Sequence, residues 1–231
     1  MKNLLLLLSM CIFFISCNEQ TAEKEETTTK KTEENVAPKP EEAVQTELIK
    51  NGIDASGGIP EGLQVGDEAP MFVKADHTGA EVDLAALLAD GPVVIQFYRG
   101  QWCPYCTKSM AAFQDSLSFI TEKGAQVIAV GPETNENVLA AVEKSEATYP
   151  LIPDYQLEIL DAYKVTFQVT EDYTQKVMEY AKTDLADNAS GVSKLPVPAT
   201  YVIGQDKKVK FVDFDQNYRV RASVEEILKH L

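Results

Sequence analysis

Cys103 and Cys106, two residues apart in "RGQWCPYCTK", are the side chains whose types and spacing best suit chemistry. A thiolate, not a thiol, attacks disulfides and peroxides, and a free cysteine with a pKa near ~8.5 is only a few per cent ionised at neutral pH. A helix N-terminus changes this, because its unpaired N–H groups and dipole stabilise an anion; there, or within Cys-x-x-Cys, the pKa falls to about 3.5–7.5. The spacing adds a partner, with one sulfur exposed to attack and the other within the first turn to resolve it. Pro104 suits a first helical turn, where its missing N–H has no intrahelical role. Trp102 and Tyr105 are placed to cover the pair. Arg99 either adds positive charge or is solvated at a strand end.

Other uses of the pair are weaker. Structural zinc needs four N or S ligands, and beyond the pair the mature chain offers only His77 in a turn and His230 at the C-terminus, so neither a metal nor a cofactor is expected. A purely structural disulfide over so small a loop constrains the unfolded chain little. Two inert thiols fit poorly beside a helix start.

The elements that must position the pair are legible around it. "PVVIQFY" is a continuous apolar run of strand length, the pattern of a strand covered on both faces. Met110, Phe113, Leu117 and Ile120 then recur at helical spacing up to Gly124, which predicts a helix starting near Cys103 or Pro104. "AQVIAV" predicts a second buried strand and "TNENVLAAVEKSEATY" a helix capped by Thr134 or Asn135. Upstream, "PMFVKAD" and "TGAEVDL" flank a turn at His77–Gly79, before a short helix over Leu84–Leu88. "ATYVIG" and "KVKFVDF" read as a hairpin, and Ser223 with Glu226 as a capping box. Residues 156–188 carry mixed helical signals and many tyrosines, and yield no assignment. The order predicts an α/β sandwich around a mixed sheet. Pro196 and Pro198 precede a strand in "KLPVPATYVIG", and a cis Val197–Pro198 bond would form a tight turn beside a thiol site.

The N-terminus bounds the setting. "MKNLLLLLSMCIFFISC" has Lys2 and an apolar stretch too short for the ~20 residues of a spanning helix, which fits an export signal. Its end, "FISC", resembles a bacterial lipoprotein signal (1–17), which implies a lipid on Cys17 and an exported, membrane-anchored protein in the cell envelope, periplasm-facing or on the surface. Residues 18–58, polar and acidic, read as a disordered tether, with one short amphipathic helix possible after Pro40. The net charge of −15 argues against nucleic acid as a partner. With Cys11 in the signal and Cys17 at its end, only Cys103 and Cys106 remain, so residues 59–231 are not a disulfide scaffold.

Taken together, "VVIQFYRGQWCPYC", "AQVIAVGPET", "YPLIPD", "LPVPATYVIG" and "FVDFDQNYRVRASVEEIL" resemble the peroxiredoxin-like branch of the alkyl hydroperoxide reductase/thiol-specific antioxidant family, over about residues 60–231. The resemblance implies a thioredoxin fold, a central mixed β-sheet flanked by helices, with a cis Pro198 facing Cys103. It also implies reduction of a hydroperoxide through a cysteine sulfenic acid, disulfide formation, and re-reduction by a thioredoxin-like dithiol. The family pattern Pro-x-x-x-Thr/Ser-x-x-Cys places Arg99 at the Pro, Cys103 at the Thr and Cys106 at the peroxidatic Cys. The Pro and hydroxyl are therefore absent, and the active-site Arg has no evident counterpart, since the remaining arginines, Arg219 and Arg221, lie near the end. Loss of such donors slows peroxide reduction, so weak or narrow activity is expected.

In a thioredoxin-like register, Trp-Cys-Pro-Tyr-Cys is instead a complete dithiol motif with Cys103 attacking. Three functions stay open: a thiol peroxidase with Cys106 taking the oxygen and Cys103 resolving it, an extracytoplasmic thiol-disulfide oxidoreductase with Cys103 as nucleophile, and a binding module that uses the Pro198 groove without turnover.

Overall fold

The computed structural model describes residues 40–231; the expected signal, Cys17 and the tether up to residue 39 lie outside the described residues. The chain runs through α1 (Pro40–Lys50), β1 (Val73–Ala75), β2 (Glu81–Asp83), α2 (Leu84–Asp90), β3 (Val93–Phe97), α3 (Pro104–Asp115) and α4 (Leu117–Glu122). It continues through β4 (Gln126–Gly131), α5 (Asn135–Ser145), β5 (Leu151–Pro153), α6 (Glu158–Ala162), β6 (Thr166–Gln168), α7 (Glu171–Ala181) and α8 (Leu185–Asn188). β7 (Lys194–Pro196), β8 (Ala199–Ile203), β9 (Val209–Phe214) and α9 (Val224–Leu228) complete it.

The apolar run of β3 is buried at every residue because it takes the middle of a five-stranded sheet ordered β5-β4-β3-β8-β9. β3, β4 and β5 are parallel, with Val94 opposite Val127 and Val130 opposite Ile152. β8 joins β3 antiparallel and forms the expected hairpin with β9. Alternation along the strands divides the core in two. Val94, Tyr98, Val127 and Val202 pack with Cys103, Cys106, Met110 and Phe113 on one side. Val93, Ile95, Phe97, Ile128 and Tyr201 pack with Leu84, Leu88 and Tyr163 on the other. The result is a thioredoxin fold, a central mixed sheet flanked by helices.

Local chemistry sets the ends of the elements. Asp76 Oδ1 accepts from the N–H groups of Thr78 (2.8 Å) and Ala80 (3.1 Å) and so closes the β1–β2 turn. Asp83, Thr134 and Ser223 cap α2, α5 and α9 through their side-chain oxygens.

Two expectations need correction. The single helix expected from Cys103 to Gly124 is two, because the Ser116 N–H bonds to Phe113 O in a tighter i−3 turn that interrupts the α ladder. The short helix expected after Pro40 is present as α1, but residues 40–58 belong to the folded body and not to a tether: Leu48 (3% exposed) and Ile53 (0%) enter the same apolar cluster as the cysteines. A bridge from Ile53 to Val169 ties this segment to the stretch before α7. Two well-placed apolar side chains suffice to bind an otherwise polar segment, which its composition alone does not disclose.

Candidate active site

Cys103 is the N-cap of α3, with extended backbone (φ −88°, ψ 107°), and Pro104 is the first helical residue. The N–H groups of Cys106 and Thr107 donate to the Cys103 carbonyl at 3.0 and 3.1 Å, so the pair straddles the first turn. Both are free thiols, with Cys106 Sγ donating to Cys103 Sγ at 2.8 Å. The Arg99 N–H donates to Cys106 Sγ at 3.5 Å.

Neither sulfur is exposed, against the expectation of one open thiol: each residue is 1% exposed. The cover comes largely from the segment that the sequence left unassigned. Tyr180 of α7 donates its hydroxyl to the Trp102 carbonyl at 3.4 Å and meets the indole edge-on. Asn188 of α8, itself buried, accepts from Trp102 Nε1 and donates to Arg99 O, both at 3.3 Å, clipping the two sides of the loop together. Gly100, at φ 151°, leaves room for this arrangement, since a Cβ there would sit 2.3 Å from Trp102 Nε1.

Arg99 is not solvated. It is 1% exposed, and its guanidinium lies over the rings of Tyr218 (4.1 Å), Tyr173 (5.1 Å) and Trp102 (5.3 Å). Among the described residues, none of its side-chain nitrogens meets a carbonyl or carboxylate acceptor within bonding distance. A buried cation without a carboxylate partner favours an anion nearby, and the groups that couple to it are Tyr173, Cys103 and Cys106. Burial holds the Tyr173 phenol well above its ordinary range, which leaves the thiols to carry the negative charge. A second cation arrives from the far end of the chain, Arg221, whose Nη2 lies 3.8 Å from Cys106 Sγ.

These neighbours divide the two thiols. The hydrogen bond from Cys106 lowers Cys103 to about 6, with Arg99, the Cys106 N–H and Arg221 acting in the same direction against burial. Burial pushes Cys106 well above the ordinary thiol range, and the neighbouring Cys103 adds to this. The surroundings thus favour the thiolate form of Cys103 and the protonated form of Cys106.

Glu133, just beyond β4, was not singled out by any motif. It is fully buried, and both carboxylate oxygens accept the Gln101 N–H at 2.9 Å, anchoring the turn that leads into Cys103. Burial raises its pKa to about 7, opposed by the Gln101 N–H and by Lys144 and reinforced by Cys106.

The structure therefore brings Arg99, Trp102, Cys103 and Cys106 into one buried cluster. Pro104 and Tyr105 face outward, Tyr105 stacking edge-on with Tyr218. Pro198 is buried between β7 and β8, and its neighbour Val197 belongs to the apolar cluster of the cysteines. Tyr173, Tyr180, Asn188, Tyr218, Arg221 and Glu133 complete the site from segments distant in sequence. A dithiol at a helix N-terminus on this sheet, with Cys103 lowered and Cys106 raised, fits a thioredoxin-fold redox protein, an oxidoreductase.

The sequence profile of the AhpC/TSA family matches residues 65–212, and the chain belongs to that family. A Mycobacterium tuberculosis relative that carries a provisional peroxiredoxin name is 29% identical over 153 residues, 66% of this chain and 86% of its own. The thiol-disulfide oxidoreductase ResA of Bacillus cereus is 33% identical over 106 residues, 46% of this chain and 60% of its own. Among solved structures, the peroxidoxin BcpB of M. tuberculosis superposes with a TM-score of 0.56 at 24% identity, over 73% of this chain and 96% of its own.

Proposed function

We propose that the protein is a thiol-dependent peroxidase in which Cys103 attacks and Cys106 resolves. The Cys103 thiolate attacks the distal peroxide oxygen of ROOH, the O–O bond breaks, and the alkoxide leaves as ROH with a proton. The Cys106 thiol then attacks the sulfur of Cys103–SOH and expels water as the disulfide forms. A thioredoxin-like dithiol returns both sulfurs to the reduced state. The observation that carries this reading is the division of the pair: Cys103 lowered to about 6 with the protonated Cys106 sulfur 2.8 Å away. It favours Cys103 over Cys106 as the first nucleophile, the reverse of the order implied by the peroxiredoxin register. The family membership and the peroxiredoxin-named relative favour a peroxide as the oxidant. In the same reading a lipid on Cys17 holds the enzyme at an envelope membrane.

The same acidic Cys103 favours a second reading, thiol-disulfide exchange with partner proteins, to which the likeness to ResA also points. One experiment separates the two. The reduced protein, with Cys103→Ser and Cys106→Ser alongside, is mixed with hydroperoxide in a stopped-flow instrument and the sulfenic acid trapped and located by mass. The expected result is fast oxidation with the trapped acid on Cys103 in the Cys106→Ser variant. Trapping on Cys106 in the Cys103→Ser variant reverses the assignment. Oxidation no faster than a free thiol, with rapid exchange through Cys103 against a protein disulfide, makes the exchange reading correct.

A further inference from the structure

Two segments far apart in sequence meet beside the rings that surround Arg99: a strap over residues 48–54, and residues 217–221. Asn51, 4% exposed, donates from Nδ2 to Glu47 O at 2.9 Å and accepts Arg219 Nη1 on Oδ1 at 3.1 Å. Arg219 in turn lies 4.2 Å over the Tyr218 ring, which the Arg99 guanidinium approaches to 4.1 Å. Like charges on one ring repel, and the Asn51 bond opposes the loss of Arg219 to solvent. Tyr218 thus carries a path from Asn51 to the cation beside the thiols. Arg221, two residues after Arg219, lies 3.8 Å from Cys106 Sγ.

Gly52 reaches the same rings by a second route. Its carbonyl accepts the Thr170 N–H at 3.0 Å, and the Asp54 N–H donates to Gln168 O at 2.9 Å, which fixes the strap to the residues that open α7. Gly52 has φ 87°, and a Cβ there would sit 2.6 Å from Tyr173 Cγ, so its backbone lies against that ring. Tyr173 meets Tyr218 edge-on at 6.2 Å and lies 5.1 Å from the Arg99 guanidinium. Neither segment falls within residues 65–212, where the family profile matches.

We propose that Asn51 and Gly52 are positioning residues for the dithiol. Asn51 acts through Arg219 and Tyr218, and Gly52 through Tyr173; together they brace the rings against Arg99 and so set how strongly that cation supports the thiolate. The inference rests on the pair being the redox centre, and holds whether a peroxide or a disulfide is the oxidant. A guanidinium walled off from water acts on the sulfurs at low effective dielectric, and when the rings part, water screens it. The reduced form then loses more than the disulfide, which carries no charge on sulfur.

Equilibration with glutathione and pH titration of the thiolate absorbance test it. The disulfide of Asn51→Leu is expected to be ~10-fold harder to reduce than that of the wild type, about 30 mV, with a higher thiolate midpoint. Arg219→Met shifts both readings the same way, and adding Asn51→Leu to it shifts them no further, because the path is already cut. Gly52→Ala shifts both, and does so in the Arg219→Met background as well. Leu88→Ala, in the core on the other side of the sheet, lowers the urea midpoint by leaving a cavity yet keeps both redox readings. An unchanged equilibrium in Asn51→Leu or Gly52→Ala, or a full further shift when Asn51→Leu is added to Arg219→Met, overturns the brace and leaves the dithiol as the redox centre. A shift in Leu88→Ala equal to that in Asn51→Leu assigns the effect to lost stability and overturns the brace too. A wild-type pair that glutathione disulfide does not oxidise overturns the redox reading itself.

Discussion

The guanidinium of Arg221 lies 3.8 Å from the sulfur of Cys106, which precedes it by 115 residues. With Arg99, drawn from the end of β3, it places two cations at the dithiol. In the expected family register both the shaping Pro and the hydroxyl are missing, and the site's positive charge enters instead from the Pro position and from the C-terminal segment.

Replacing Arg99 with Met removes a buried positive charge that couples to both thiols. The thiolate absorbance of the reduced protein, expected to titrate near 6 in the wild type for Cys103, should move toward the ordinary thiol value of ~8.5. The disulfide should also become harder to reduce, because stabilisation of the thiolate favours the reduced form; a tenfold change in the equilibrium with glutathione corresponds to about 30 mV. A glutathione redox titration and the absorbance near 240 nm read both effects. An unmoved midpoint would show that the cage does not act on the sulfurs.

Glu133 makes the stability of the protein depend on pH. Its folded pKa of about 7 lies above that of an unfolded glutamate, so the native state holds the proton more tightly. The contribution is full below ~4.5 and lost as pH rises through about 7, a loss on the order of 3 kcal/mol. Glu133→Gln should therefore be more stable than wild type at pH 8 and differ little at pH 5. Urea unfolding of the disulfide form isolates the effect, because the cysteines no longer titrate. Taking the difference from wild type cancels Asp154, which burial likewise raises, to about 6.

Asn188→Ala leaves the Trp102 N–H and the Arg99 carbonyl without their partner inside the protein. Stranding buried polar groups costs about 1–3 kcal/mol each, so the urea midpoint should fall by an amount equivalent to ~2 kcal/mol or more. Loss of the clip should also open the loop, so alkylation of Cys103 by iodoacetamide should accelerate. Slower or unchanged alkylation would mean that Tyr180 alone keeps the pair covered.

Much of the framework was legible because it depends on near neighbours in sequence. The β3 run, the Pro104 helix start and the caps at Thr134 and Ser223 are decided within a few residues. Residues 156–188 were not, because their turns pass through left-handed backbone at Leu157, Lys164 and Lys182, where no glycine marks the break. α6, β6 and α8 are short, and α7 buries little beyond Val177 while its tyrosines face the loop before Cys103. The same distance in sequence hid the cations and the acid. Arg221 reaches Cys106 only after β9 folds back across the sheet, and Glu133 sits beneath Gln101 only because β4 pairs with β3.

Trp102 is the only tryptophan in the chain. It stands immediately before Cys103, edge-on to Tyr180, beside the Arg99 guanidinium and hydrogen-bonded to Asn188. Every photon emitted by indole from this protein therefore originates at the reacting loop. Its brightness and colour make the molecule an unlabelled optical gauge of its own sulfur chemistry, readable turnover by turnover without a dye or a coupled assay.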